Sequence, residues 1–290
     1  MTAEVDSGVV RSTTSSQPAL VPAASQRWKR LRRTALVVAT QIAILAAFLA
    51  FWEYMTSQSR AAAFMFGSPS AIAGFLLQMA RDGSLWRDTY VTGIETLLGF
   101  FVGNLCGTVF GLSLWYSHFV SRVVEPFVIA VGSIPIIALA PIIIIWFGTG
   151  LISKVAMSTL SVVIVALVTS YKGAVGVDPD QINLMRTLGA SKFQIFRKLV
   201  VPASLTDIFA GLKLTVGFAL IGAIVGEFVG ADKGLGYLLL VTNSNMEAAL
   251  MFATIVALTI IGLVFYYLVE LLESFLIPWH VTHRVESGTM

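Results

Sequence analysis

Long apolar runs alternate with short polar breaks along this chain, and the runs have membrane-spanning length. Residues 34–55, 88–115, 126–147, 151–171, 207–229 and 248–275 are predominantly apolar. Roughly 20 such residues, coiled as a helix, cross a hydrocarbon core of about 30 Å. The pattern therefore predicts six transmembrane helices. Between the first two, Ser68, Pro69 and Ser70 read as a helix start, residues 71–79 as a short amphipathic helix, and Asp82 and Gly83 as its stop. That helix is too short to span and is expected to lie at the outer surface. Polar breaks at 117–125 and 231–246 are expected to be a turn and an outer loop.

Glycine and proline add detail within the runs. Gly99, Gly103, Gly107 and Gly111 recur at four-residue spacing, as do Gly222, Gly226 and Gly230. That spacing stacks them on one helix face, where another backbone can approach closely. Internal helix packing is the plainer use of such a ladder, and a dimer seam is the other. In the third run Pro135 and Pro141 each remove a backbone hydrogen bond and are expected to bend the helix.

Composition agrees with a helical membrane protein. The chain is 57% hydrophobic and 12% charged, with mean hydropathy +0.84; soluble domains carry roughly 25% charged residues. The net charge of +3 and pI near 9.1 do not indicate nucleic-acid binding, because the charges flank apolar runs instead of forming one face. Residues 1–33 read as a disordered, basic cytoplasmic tail, with Arg27, Lys29, Arg30, Arg32 and Arg33 just before the first run. This cluster comes too late, before too long an apolar run, for a cleaved signal peptide. It holds the first helix start in the cytoplasm. Basic residues assigned inside (that cluster, Arg11, Arg122, Lys172, Arg186, Lys192, Arg197, Lys198, Lys213, Arg284) outnumber those assigned outside (Arg60, Arg81, Arg87, Lys154, Lys233). Both termini are thus expected inside, with a membrane domain over 34–278 and a cytoplasmic tail over 279–290.

Candidate chemistry is sparse. No phosphate-binding loop, H-E-x-x-H or G-x-S-x-G pattern occurs, so no catalytic residue is assigned and nucleotide hydrolysis is not expected of this chain. Cys106 is the one cysteine, and His118, His280 and His283 are too scattered for a metal site. No cofactor is expected in this chain. Glu227, near the outer end of the fifth run, and Glu95, near the outer end of the second, are the candidate pathway residues, since a carboxylate at membrane depth is costly unless paired or wet. Glu227 either lines a pathway or caps a neighbouring loop or reaches headgroups; Glu95 is expected within headgroup reach.

The longest polar break beyond residue 90 is 172–205. Asp178, Pro179 and Asp180 predict a helix start, and Gly189 a helix end. Ser191 predicts the cap of a second helix bearing Phe193 and Phe196, and Pro202 a change of direction. The result is a compact knob exposing Leu188, Phe193 and Phe196; an interfacial helix lying flat on lipid would share this pattern.

Arg186, Thr187, Leu188, Gly189, Ala190 and Ser191, followed by Val201 and Pro202, resemble the EAA loop of binding-protein-dependent ABC importer permeases. The family's pattern opens on Glu-Ala-Ala, turns at a glycine and closes on Ile-x-Leu-Pro. Gly189 and Pro202 match, Leu199 and Val201 are mild substitutions, and Asn183, Leu184 and Met185 replace Glu-Ala-Ala. Ser68, Pro69 and Ser70, the stretch from Ile134 and Pro135 to Gly148, and Gly234, Leu235, Gly236 and Tyr237 look like the nitrate, sulfonate and taurine branch. The resemblance covers roughly residues 65–275. It implies an all-α type I importer permease in a bacterial inner membrane. Its implied partners are a second permease chain in a homodimer, cytoplasmic ATPase subunits, an extracytoplasmic substrate-binding protein and membrane lipid. Arg186 to Ser191, Phe193, Phe196 and Pro202 are the implied ATPase-coupling residues. Members of that branch are similar in sequence yet carry anions, thiamine precursors and other small solutes. The resemblance therefore implies a small solute such as nitrate, a sulfonate or taurine, with a thiamine precursor or another small organic solute as the alternative. A secondary transporter would need more intramembrane charge than Glu227 and Glu95 supply, and a membrane scaffold would not need glycine ladders and bent helices.

Overall fold

The computed structural model describes residues 23–277, all of whose regular structure is helical. They fall in two units, one ending at Tyr54 and one beginning at Met55. Helix α1 (Ala23–Ser57) supplies the described part of the first unit and runs three residues past its end. The helix already begins at Ala23, so residues 23–33 continue the first span as helix, where a disordered tail was expected; Arg and Lys are good helix formers and do not interrupt it. Residues 1–22 of the expected N-terminal tail and the expected C-terminal tail, 279–290, lie outside the described residues.

The second unit contains α2 (Arg60–Phe66), α3 (Pro69–Asp82), α4 (Ser84–Leu114), α5 (His118–Gly132), α6 (Ile136–Phe147), α7 (Leu151–Val175), α8 (Pro179–Thr187), α9 (Lys192–Ile195), α10 (Val201–Gly230), α11 (Leu235–Ser244) and α12 (Ala248–Leu276). Among the described residues, five helices are long and apolar enough to cross a membrane: residues 32–57, α4, α7, the continuous helix 192–230 and α12. Two further pairs qualify only as bent spans, α2 with α3 at 47° and α5 with α6 at 90°.

Three departures from the sequence pattern have local causes. The third run is not one helix, because the chain turns at Ser133, Ile134 and Pro135. Pro135 has no N–H to donate and sits extended at ψ 116. The stretch 117–125 is not a turn, since Ser117 accepts from the Val120 N–H and starts α5 immediately. The outer loop contains α11, whose start depends on side chains from elsewhere in the chain.

Packing centres on α7, which lies between α4 and α10 and makes the most extensive helix contacts in the unit. The first glycine ladder faces it, as do Gly222 and Gly226 of the second, while Gly230 meets Ile144 of α6 and Thr149, so both ladders serve internal packing. A Cβ on Gly103 would meet Val162 Cβ at 2.8 Å, and one on Gly226 would meet Lys154 Cα at 3.0 Å. Polar pegs then lock the close approach. Ser158 Oγ donates to the Ala219 carbonyl (2.9 Å), Thr215 Oγ1 to Asn104 Oδ1 (3.0 Å) and Ser170 Oγ to Thr108 Oγ1 (3.2 Å). Such interhelical bonds contribute about 0.6 kcal/mol each within a bilayer.

Candidate functional site: a helical knob and a buried cap at opposite ends of the bundle

At the end of the bundle where α7 finishes and α10 begins, α8 and α9 form the knob. Asp178 accepts from the Asp180 N–H at 2.9 Å and Pro179 occupies the first turn, so α8 starts where a side-chain cap and a pre-set φ coincide. Gly189 closes it at φ +77, while the Ala190 N–H reaches back to the Met185 carbonyl (3.0 Å). Ser191 and Gln194 form a reciprocal capping box that starts α9. The helix–elbow–helix is therefore fixed by its own backbone and caps.

Beyond α9 the chain does not change direction at Pro202, as the sequence suggested. It passes through one π-turn, Phe196–Val200, into α10. A proline ring clashes with the carbonyl four residues earlier in an α-helix, and the wider π-turn just ahead of Pro202 relieves that conflict.

The knob has two faces. One is anchored: Ala174, Val177, Ile195 and Val200 form a buried cluster, with Leu112, Ile182, Met185 and Phe196 packed against it. Phe196 stacks on Tyr116 (centroids 4.8 Å) and Trp115 (5.7 Å), and Lys192 Nζ donates to the Tyr116 carbonyl at 2.5 Å. Phe196, expected as an exposed contact, is instead spent holding the knob to the α4–α5 turn. The other face is bare, with Leu184, Leu188 and Phe193 exposed at 61%, 75% and 61%. Arg186, Thr187, Ala190 and Ser191 lie along the same loop, and Arg186 bonds to Asn183 Oδ1 (3.4 Å). Of the three residues replacing Glu-Ala-Ala, Asn183 and Leu184 face outward and Met185 faces the anchoring cluster.

At the opposite end, Glu227 is fully buried and Glu95 nearly so, at 0% and 4% exposure. Glu95 is thus not at headgroup reach; it sits against Glu227, with Oε2 lacking a hydrogen-bond partner among the described residues. Glu227 caps α11. Its Oε2 accepts the Gly236 and Tyr237 N–H groups (2.5 and 3.1 Å), and its Oε1 accepts the Thr92 hydroxyl (2.6 Å). Thr92 Oγ1 in turn accepts the Leu235 N–H (2.8 Å), and Asp88 Oδ1 accepts that of Gly234 (3.4 Å). All four unpaired N–H groups at the start of α11 are met by side chains of α4 and α10. The glycines are required here: a Cβ on Gly234, at φ +108, would lie 2.5 Å from the Glu227 carboxyl, and one on Gly236 2.7 Å from Oε2. Beside the cap, buried Lys154 donates to the Thr149 and Gly230 carbonyls, placing its charge at the C-terminal end of α10.

Asp88, Thr92, Lys154 and the Lys213–Glu273 ion pair between α10 and α12 were not singled out from the sequence. For two of them a signal existed. Asp88, Thr92 and Thr96 continue the stripe of Gly99, Gly103, Gly107 and Gly111 along one buried face of α4.

Two features now define the class: a bundle knitted by small residues, and an exposed helical knob at one end. Residues 95–278 match the family described as binding-protein-dependent transport system inner membrane component, and this chain belongs to it. It is a multi-pass inner-membrane permease subunit of an ABC importer. It is 34% identical to a probable ABC transporter permease of Haemophilus influenzae, over 82% of this chain and 96% of the relative. It is 32% identical to the formylaminopyrimidine transport permease ThiX of Halalkalibacterium halodurans, over 74% and 88% respectively. The taurine transport permease TauC of Escherichia coli is 24% identical over 88% and 93%. Among solved structures, an inward-facing form of the MetNI methionine ABC transporter shares the fold, with TM-score 0.60 and 22% identity, covering 67% of this chain and 96% of that one.

Proposed function

We propose that this permease is driven by a separate cytoplasmic ATPase seated on the knob, and that it works as a homodimer receiving solute from an extracytoplasmic binding protein. The observation that supports this reading most is the pairing of the knob's two faces. A surface that only needed to be soluble would not expose Leu184, Leu188 and Phe193 on a capped, anchored support. Closure of an ATPase pair would move such a knob as a rigid lever and change the angle of α7 and α10, the two helices it joins. The apolar outer faces of α4 and α12, with Phe101, Phe110 and Phe275 exposed, would meet lipid or the second permease chain.

The solute is a small organic molecule. Identity is higher to the formylaminopyrimidine and riboflavin permeases (32% and 30%) than to the sulfonate and taurine permeases (22% to 25%). That order favours a nitrogen heterocycle, such as a thiamine precursor, over a sulfonate anion. Reconstitution with the cognate ATPase and binding protein, followed by ATP-dependent uptake of labelled formylaminopyrimidine and taurine, tests both parts. Uptake of either without ATP would overturn the coupling, and selective uptake of taurine would overturn the heterocycle.

A further inference from the structure

α11 carries no side-chain cap of its own. Its N-cap is Gly234, and the groups that satisfy its first turn belong to α4 and α10. A short helix held this way has its position set by the two helices that cap it. The cap is dry, since Glu227, Thr92 and Leu235 are each 0% exposed. On its other side α11 packs on α12 through Leu235, Ala257, Leu258 and Ile261. α10 begins at the knob and ends at the cap, so tilting of α10 carries Glu227 relative to Thr92 on α4.

We infer that Glu227, bridged by Thr92, is a positioning residue for transport: it docks α11 across the end of the bundle opposite the knob, as the closure of the extracytoplasmic side. The sidedness rests on the importer reading above. A carboxylate is suited to this task, because it accepts from two backbone N–H groups and one hydroxyl at once without offering a competing donor. Its position at a helix N-terminus adds the attraction of the helix dipole. Glutamine keeps the shape but loses the charge and turns an NH2 group toward donors.

The test uses Thr242, which lies on α11 at 1% exposure. In the full chain carrying Cys106→Ser, Thr242→Cys places a thiol of nearly the same size under the docked helix. A membrane-impermeant maleimide added from outside should label it slowly. Glu227→Gln and Thr92→Val should each raise the labelling rate by about tenfold, the value of one lost cap, while Thr92→Ser, which keeps the hydroxyl, should not. In the reconstituted transporter the same two variants should raise the ATP hydrolysed per solute imported, whereas a loss of folded protein would lower both together. Equal labelling in all backgrounds would overturn the inference, as would Thr92→Ser behaving like Thr92→Val. Labelling needs neither ATPase nor solute, so failure here is separable from failure of the importer reading.

Discussion

The rings of Tyr116 and Phe196 lie 4.8 Å apart, joining the turn after α4 to the second half of the knob. This contact, with Lys192 on the Tyr116 carbonyl, makes the knob part of the bundle instead of a free loop. Aromatic pairs add about 0.5–1.5 kcal/mol beyond the area they bury. Phe196→Ala should therefore loosen the knob without unfolding the bundle. Limited proteolysis should cut more quickly between residues 176 and 200, and ATP-driven uptake should fall while the amount of chain in the membrane stays constant.

Gly189 tests the elbow itself. Nothing lies within 4 Å of a Cβ built there, so the constraint is the backbone at φ +77 and not space. Left-handed backbone costs an ordinary residue roughly 1–2 kcal/mol, and asparagine less. Gly189→Val should uncouple ATP hydrolysis from uptake more strongly than Gly189→Asn, measured as solute imported per ATP. Equal behaviour of the two variants would argue against a conformational role.

The glycine ladder makes the opposite prediction, because there the constraint is space. Gly103→Leu forces atoms into Val162, and such overpacking costs about 1–3 kcal/mol or more. Gly217 on α10 has open space around it, and Gly217→Ala should be neutral or stabilise by about 0.5–1 kcal/mol through helix propensity. Thermal unfolding in detergent should show a lowered Tm for the first and an unchanged or raised Tm for the second.

Much of the fold is written in the chain's own periodicity, and what is not written there depends on distant partners. The helical runs, the caps at Ser68, Asp178 and Ser191, and the elbow at Gly189 are local, so sequence pattern reveals them. α11 is hidden because its caps arrive from Thr92 and Glu227, and Thr92 lies 143 positions from the N–H it accepts. The break at Pro135 is visible as a bend, but its 90° size is set by where α5 and α6 pack. Phe193 and Phe196 are alike in sequence, three positions apart. Only the tertiary neighbours Trp115 and Tyr116 assign one to the anchor and leave the other exposed.

Lys213 and Glu273 carry the same lesson into energetics. Their side chains are 11% and 18% exposed, and Lys213 also lies over the Tyr266 ring at 5.9 Å. Removing one partner from a buried pair leaves an uncompensated charge, at a cost of roughly 3–5 kcal/mol, whereas replacing both by apolar groups is often neutral. Lys213→Met should lower the Tm strongly, and the Lys213→Met/Glu273→Met double variant should recover most of the loss. A double variant no better than the single would contradict the pairing.

The central claim is that the bare face of the knob is where the ATPase sits. The most direct measurement is co-purification of the cognate ATPase with the full permease carrying Leu188→Glu and Phe193→Glu together, set beside wild type. Both side chains are exposed, so the variant should reach the membrane and unfold at the wild-type temperature. The account predicts that it loses the ATPase and that ATP-dependent uptake falls to background. A variant that retains the ATPase at the wild-type ratio and transports normally would contradict it.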